Sequence, residues 1–307
     1  MKASRIADPE KDVQAMHLGP VTVLFGEKNG KYPDGNQVVV RGRDTLAIFD
    51  TPLSATRFSE HLTEADLVLL SHVHEDHTAG LHLLPQAEVW VHEADVDALR
   101  SMAGLMAHYG YAPDAINAME SMVVDKFYFQ PRPDARAYPD GHVWDLGGCQ
   151  VRAMHLPGHT RGHCALVVEP QGVAFIADID LTGFGPYYGD ACSSLTDFRE
   201  SLARVARMEA SVWVTSHHKG VITDQQQFLS LLENFRDRID QRAEAILTAL
   251  KGEGKTLVEL EEQQFLYPKG FKNEYSADAE RRTIELHLEE LVVQGLAVLQ
   301  NNRYIAA

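Results

Sequence analysis

The chain has 307 residues, 45% hydrophobic and 23% charged, which suits one large α/β domain with an appendage and excludes wholesale disorder. Lys and Arg number 28 against 44 Asp and Glu, and the net charge of −16 weighs against broad binding to nucleic acid or anionic membranes. Cys149, Cys164 and Cys192 are too few for a disulfide framework, and no apolar run has the length of a leader or a membrane span, so a cytoplasmic protein is expected.

Taken in chain order, Val21–Phe25, Gln37–Arg41 and Thr45–Phe49 read as strands between Gly, Asn and Asp turn signals. The run 67–70 is apolar throughout, the pattern of a strand covered on both faces. Val89–His92 is a further strand, and Glu93–Met106 reads as a helix. Residues 107–140 show no clean period and read as an irregular insertion that covers something. Strands resume at Gln150–Met154, Ala165–Glu169, Val173–Ala177 and Val212–Thr215, with a turn at Pro170-Gln171-Gly172 and an amphipathic helix at Leu195–Met208.

A long helix is expected over 224–251, capped by Asp224 and ended before Gly252 and Gly254. Beyond it, helices at Leu257–Phe265 and Ala279–Gln294 precede a hairpin of Leu296–Leu299 and Arg303–Ile305 around Asn301-Asn302. Helix, helix, hairpin is the order of a winged-helix module. Its 6 basic against 10 acidic residues argue for a packing or dimerisation element, compatible with a homo-oligomer, rather than a reader of DNA. The expected division is 1–222, a linker over 223–252, and 253–307.

The chemistry concentrates in Ser71-His72-Val73-His74-Glu75-Asp76-His77, directly after the apolar run. Two residues apart on extended chain, His72 and His74 point the same way and can share one metal ion; Asp76 and His77 follow where the chain turns into a helix and can reach a second. The pattern recurs. Gly158-His159-Thr160-Arg161-Gly162-His163, Asp178 and Ser216-His217-His218 each lie just past the end of an expected strand.

These motifs resemble the metallo-β-lactamase superfamily. Its His-x-His-x-Asp-His motif stands as His72, His74, Asp76 and His77, and its Gly-His-Thr motif as Gly158, His159 and Thr160. The bridging aspartate matches Asp178, the last histidine His217, and a structural aspartate Asp50. The tail resembles, more loosely, the winged helix of the β-lactamase-like-2 branch. The resemblance implies a four-layer αββα sandwich. It also implies one metal held by His72, His74 and His159 and a second by Asp76, His77 and His217, with Asp178 bridging. Nitrogen and oxygen donors suit Zn2+ and equally Fe or Mn. Two departures stand out: Ala177 precedes the bridging aspartate where the family usually has Gly, and His218 competes with His217 as the last ligand.

The ligand set resembles that of glyoxalase II and the lactonases, and it implies a hydrolase of carbonyl esters, thioesters or lactones acting through a metal-bridging hydroxide, with Asp76 orienting the attack. The alternatives of the same fold are a phosphodiesterase or ribonuclease and a mono-iron oxygenase. Tyr187 and Tyr188, close after Asp178, are expected to wall the pocket of a small-molecule substrate, one of them as an oxyanion donor. Tyr109 and Tyr111 are candidates for a lid, and His163 for holding backbone.

Overall fold

A computed structural model describes residues 4–8 and 13–307. One sheet carries β1 (Ser4–Asp8), β2 (Val13–Leu18), β3 (Val21–Leu24), β4 (Gln37–Arg41), β5 (Leu46–Phe49), β6 (Leu67–Leu69), β7 (Glu88–His92) and β8 (Arg136–Tyr138), in sequence order. Neighbours are antiparallel from β1 to β5 and parallel from β5 to β8. The second sheet is ordered β14 (Val221–Ile222), β13 (Val212–Val214), β12 (Val173–Phe175), β11 (Cys164–Glu169), β10 (Gln150–His155), β9 (Val143–Asp145), with β12 and β13 parallel.

Side chains alternate across each strand and thereby build the layers. Val38, Val40, Ala47 and Phe49 meet Val151, Ala153, Leu166, Val168 and Phe175 in the core between the sheets. Val39, Ile48, Val89 and Val91 face the other way, against helices. Helices α1 (Ser59–Leu62) and α2 (Glu75–Thr78) follow β5 and β6, and α3 (Val96–Arg100), α4 (Met102–Tyr109) and α5 (Pro113–Asp125) lie between β7 and β8. On the second sheet, Ala165, Val167, Ala174 and Trp213 pack on Phe198 and Leu202 of α6 (Leu195–Val205) and on Phe228, Leu232 and Phe235 of α7 (Gln225–Ala249). The result is helix, sheet, sheet, helix.

Two expectations are corrected. The helix read over Glu93–Met106 is two helices, because Ser101 is extended (φ −152°, ψ 150°) and its hydroxyl accepts from Gly104 N–H at 3.0 Å, starting α4 afresh. The region read as irregular contains α5, whose buried stripe is only Ala115, Met119 and Val123; so sparse a period in a polar run is easily missed. The short strands β1, β2, β8, β9 and β14 are likewise additions to the elements legible in the sequence.

The Asp224 side chain caps α7 as expected, accepting from Gln227 N–H at 2.7 Å. After it come α8 (Leu257–Glu261), α9 (Ser276–Val293) and a hairpin of β15 (Ala297–Gln300) and β16 (Arg303–Ala306). Asn301 and Asn302 both have positive φ, as a two-residue hairpin turn requires. Ile246 and Leu250 of α7 enter the same small core as Leu260, Ile284, Leu288 and Ala297. The tail is bound to the main body through Arg199–Glu290 at 2.9 Å and through Tyr188–His287 at 2.9 Å. No helix among the described residues is long and apolar enough to cross a membrane.

Candidate metal centre and its cavity

The first histidines leave β6 on extended backbone (His74 φ −125°, ψ 163°), and the single turn of α2 then delivers Asp76 and His77. His159 follows β10, Asp178 follows β12 and His217 follows β13. All seven come together at one edge of the sandwich. Donor atoms of His72, His74, His159 and Asp178 lie within 4.8 Å of one another, as do those of Asp76, His77 and His217. Asp178 Oδ1 is 2.9 Å from His77 Nε2 and 3.5 Å from His217 Nε2, while its Oδ2 is 3.4 Å from His159 Nε2. Asp178 thus stands between the two groups. His217, not His218, lies in the cluster.

Four of the rings are held the same way. His77 Nδ1 donates to Asp50 at 2.7 Å, His159 Nδ1 to the Tyr187 carbonyl at 2.9 Å, and His217 Nδ1 to the Gly30 carbonyl at 2.8 Å. His72 Nδ1 lies 3.0 Å from Ser71 Oγ. In each, Nε2 is buried and has no hydrogen-bond partner. Leaving so many polar atoms unpaired is costly unless something occupies the space between them. Rings oriented through one nitrogen with the other free are the arrangement of histidine metal ligands. The donor set therefore fits divalent metal ions.

His74 differs: its Nε2 lies 3.0 Å from Asp190 Oδ2, a close contact without the alignment of a hydrogen bond. Asp190 is buried and also accepts from the hydroxyls of Tyr111 and Tyr187. Sequence reasoning missed it, and missed Asp95 as well. Asp95 accepts from Val73 N–H at 3.2 Å, Thr160 Oγ at 2.7 Å and Gly162 N–H at 2.7 Å, tying together the two loops that supply the first group. Its only sequence signal is position, three residues past a strand end. Asp50 has the structural role expected of it, accepting from Ser71 N–H and Ser71 Oγ at 2.7 Å as well as from His77. Gly158 has φ +131° and lies where a Cβ would collide with Phe198 of α6, which accounts for glycine before His159. Ala177 has φ +47°, a conformation glycine takes more readily.

Burial opposes charge on the His72, His74 and His217 rings, and the nearest charged neighbours decide the outcome. His217 is pushed up to about 9 because Asp178 and then Asp76 outweigh burial. His74 is pushed up to about 9 because Asp190 does the same. Burial raises Asp178, but His77 and His217 outweigh it and hold the carboxyl well below the usual range. His72, with burial and then the adjacent His77 against it, is driven well below the ordinary imidazole value. Without metal, His74 and His217 are cations beside carboxylates, whereas His72 is neutral.

The centre lies at the floor of a cavity of ≈ 470 Å³. Tyr109, Tyr111, Tyr187 and Phe184 form part of its wall, and Lys31 and His218 also line it. Tyr109 donates to Glu75 at 2.5 Å and Tyr32 donates to Glu75 at 3.0 Å. The expected pocket role of Tyr188 is corrected: its side chain is fully buried in the core under α6 and α7, and its hydroxyl is engaged with His287 at 2.9 Å and Arg242 at 3.0 Å. The structure separates the two adjacent tyrosines because Tyr187 faces the cavity while Tyr188 points into the sheet-helix layer. His163 donates to the Leu156 carbonyl at 3.2 Å, holding backbone as expected.

The family description "Metallo-beta-lactamase superfamily" matches residues 32–217, and the chain belongs to that superfamily. An atrochrysone carboxyl ACP thioesterase of Pseudocercospora fijiensis is 25% identical over 242 residues, covering 70% of this chain and 61% of that protein. The acyl-coenzyme A thioesterase MBLAC2 of Homo sapiens is 26% identical, covering 52% of this chain and 64% of that protein. The hydroxyacylglutathione hydrolase GloC of Haemophilus influenzae is 28% identical, covering 45% and 62%. The chain thus spans somewhat less than two thirds of the length of these relatives. Among solved structures, a metallo-beta-lactamase family protein from Thermus thermophilus shares the fold at a TM-score of 0.70 and 23% identity, covering 94% of this chain and 99% of that one. A beta-lactamase domain protein from Burkholderia ambifaria does so at 0.70 and 20%, covering 96% and 94%.

Proposed function

We propose that the protein is a metal-dependent hydrolase of acyl thioesters that works with two divalent ions, Zn2+ first among them. The observation that carries this reading is the set of buried Nε2 atoms without hydrogen bonds gathered around Asp178 at the floor of a cavity walled in part by Phe and Tyr rings. His72, His74 and His159 would hold one ion, Asp76, His77 and His217 the other, and Asp178 would bridge them. Bound metal supplies Lewis acidity and a nucleophile at neutral pH. Thioesters lead over oxygen esters and lactones because thioesterases and a hydroxyacylglutathione hydrolase stand among the relatives.

The chain's own residues divide the remaining work. Asp76, with Oδ2 3.1 Å from His217 Nε2, would orient the attacking water and pass the proton taken from that water to the leaving thiolate. Asp50 and the Gly30 and Tyr187 carbonyls keep the rings in one orientation. The aromatic wall excludes water and receives an uncharged acyl group. The net charge of −16 weighs against RNA, a polyanion, as the substrate. The winged-helix-like tail, 253–307, with 6 basic against 10 acidic residues, has no nucleic-acid role.

A substrate panel tests this: acyl thioester, oxygen ester, lactone, phosphodiester and RNA, each offered to metal-loaded protein. Thioester turnover is expected to exceed the others. RNA cleavage with no carbonyl substrate turned over rejects the assignment.

A further inference from the structure

The C-terminal module does more than pack. Tyr267, Pro268, Phe271 and Tyr275, all from the segment between α8 and α9, line the same cavity as Asp178 and His217. The segment is fastened in place. The buried Glu280 carboxylate, on α9, accepts from the backbone N–H groups of Phe265, Leu266 and Tyr267, the latter two at 3.0 and 3.2 Å. Tyr275 stacks on Tyr111 at 5.8 Å with the planes 5° apart. Tyr267 stacks on Phe271 at 4.8 Å and meets Phe184 at 6.0 Å. Arg199–Glu290 and Ala112 N–H to Asp278 at 2.9 Å seat α9 against the main body.

Resting on the thioesterase reading, we propose that this segment is the acyl-binding wall and that it selects an aromatic acyl group. Three observations combine. First, the hydroxyls of Tyr32, Tyr109 and Tyr111 are already spent on Glu75 and Asp190, and of the three Tyr32, 38% exposed, offers the cavity ring surface rather than a donor. Second, Phe271 and Phe184 are respectively 42% and 36% exposed although each lines the cavity, which leaves ring surface free for a guest. Third, the floor is crowded with carboxylates, among them Glu75, Asp180 and Asp190, which disfavours an acyl group that is itself an anion. Aromatic rings gain from offset or edge contact with other rings beyond what their area gives, whereas an aliphatic chain gains by area alone. An aryl thioester is therefore favoured over an alkyl one of similar size. Glu280 is a positioning residue in this scheme, since it touches the segment and not the substrate.

The test uses full-length, metal-loaded protein with the S-benzoyl and S-octanoyl thioesters of N-acetylcysteamine. The wild type is expected to show the higher kcat/KM on the benzoyl compound. Phe271→Leu keeps the wall apolar but removes a ring at a half-exposed position that a leucine fills without burial. It should lower the benzoyl-to-octanoyl ratio of kcat/KM by about tenfold. Glu280→Gln, with the segment loosened, should raise KM for the benzoyl compound more than it lowers kcat. A purely structural role for the segment would move both substrates together and leave the ratio alone. An octanoyl preference in the wild type, or a ratio unchanged in Phe271→Leu, overturns the aromatic wall while the thioesterase reading stands. No turnover of either thioester rejects both.

Discussion

Asp190 Oδ2 lies 3.0 Å from His74 Nε2, so the second ring of the His-x-His pair is steered by a carboxylate 116 residues away in the chain (190 − 74). Every other ring nitrogen facing away from the cluster rests on a carbonyl, a hydroxyl or Asp50. With Nε2 turned to Asp190, Nδ1 is the atom His74 has left for a metal. Asp190→Asn keeps the shape and removes the charge. It should weaken metal binding at the first site by roughly 10- to 100-fold, read by competition with a chromogenic chelator, with the folded state retained. Undiminished affinity in the variant would leave Asp190 a packing residue only.

The raised histidines give the metal-free protein a pH signature. His74 and His217, pushed up to about 9, stay protonated through neutral pH, paired with Asp190 and with Asp178 and Asp76. Their contribution to metal-free stability is complete below the unfolded value near 6.5 and is lost as pH rises through about 9. Metal must expel these protons, so affinity should climb by up to about tenfold per pH unit for each ring between roughly pH 6.5 and 9. Calorimetry in buffers of differing ionisation enthalpy should show proton release at pH 7 that fades above pH 9. A pH-independent affinity over that interval would show that the rings are already neutral.

The seven candidate ligands singled out in the sequence do gather in the fold, because a chelating site needs particular donors at fixed spacings beside strand ends. The two sheets were legible where strands run apolar or alternate, as at Gln37–Arg41. What the sequence did not disclose depends on distant parts of the chain meeting. Asp95 and Asp190 carry no local motif, and only the folded loops bring them to Thr160 and His74. Adjacent tyrosines cannot be told apart by a reader of residues, yet Tyr187 and Tyr188 face opposite layers. The tail's share of the cavity was hidden likewise, since Phe271 and Asp178 are far apart in sequence and close only after α9 docks.

Tyr188 and Tyr187 therefore predict different mutants. Tyr188→Phe removes a hydroxyl shared between buried Arg242 and His287 and should cost about 1–3 kcal/mol of stability, with kcat within about twofold of wild type. Tyr187→Phe loosens Asp190 and should reduce metal affinity rather than abolish an oxyanion contact, because its hydroxyl already lies 3.1 Å from Asp190. Thermal unfolding and chelator competition on both variants separate stability from metal holding. A hundredfold fall in kcat for Tyr187→Phe at full metal content would restore the oxyanion role.

The relaxed conformation glycine would allow at position 177 gives a smaller test. Ala177 has φ +47° directly before Asp178. Ala177→Gly relieves side-chain strain and adds unfolded-state freedom, and these effects oppose each other at about 1 kcal/mol apiece. Stability should change by less than about 1 kcal/mol, with metal content unaltered. A loss of several kcal/mol in chemical denaturation would show that packing of the fully buried Ala177 methyl group between the sheets outweighs the strain.

The most direct measurement is elemental analysis of purified protein paired with thioester hydrolysis, on wild type and on Asp178→Ala, before and after chelation. Asp178 lies within 3.5 Å of donors from both groups. The account predicts two divalent ions per chain and thioester turnover in the wild type, loss of both on chelation, recovery of both when Zn2+ is restored, and loss of both in Asp178→Ala. Full thioester turnover by metal-free protein, or by Asp178→Ala without metal, would contradict it.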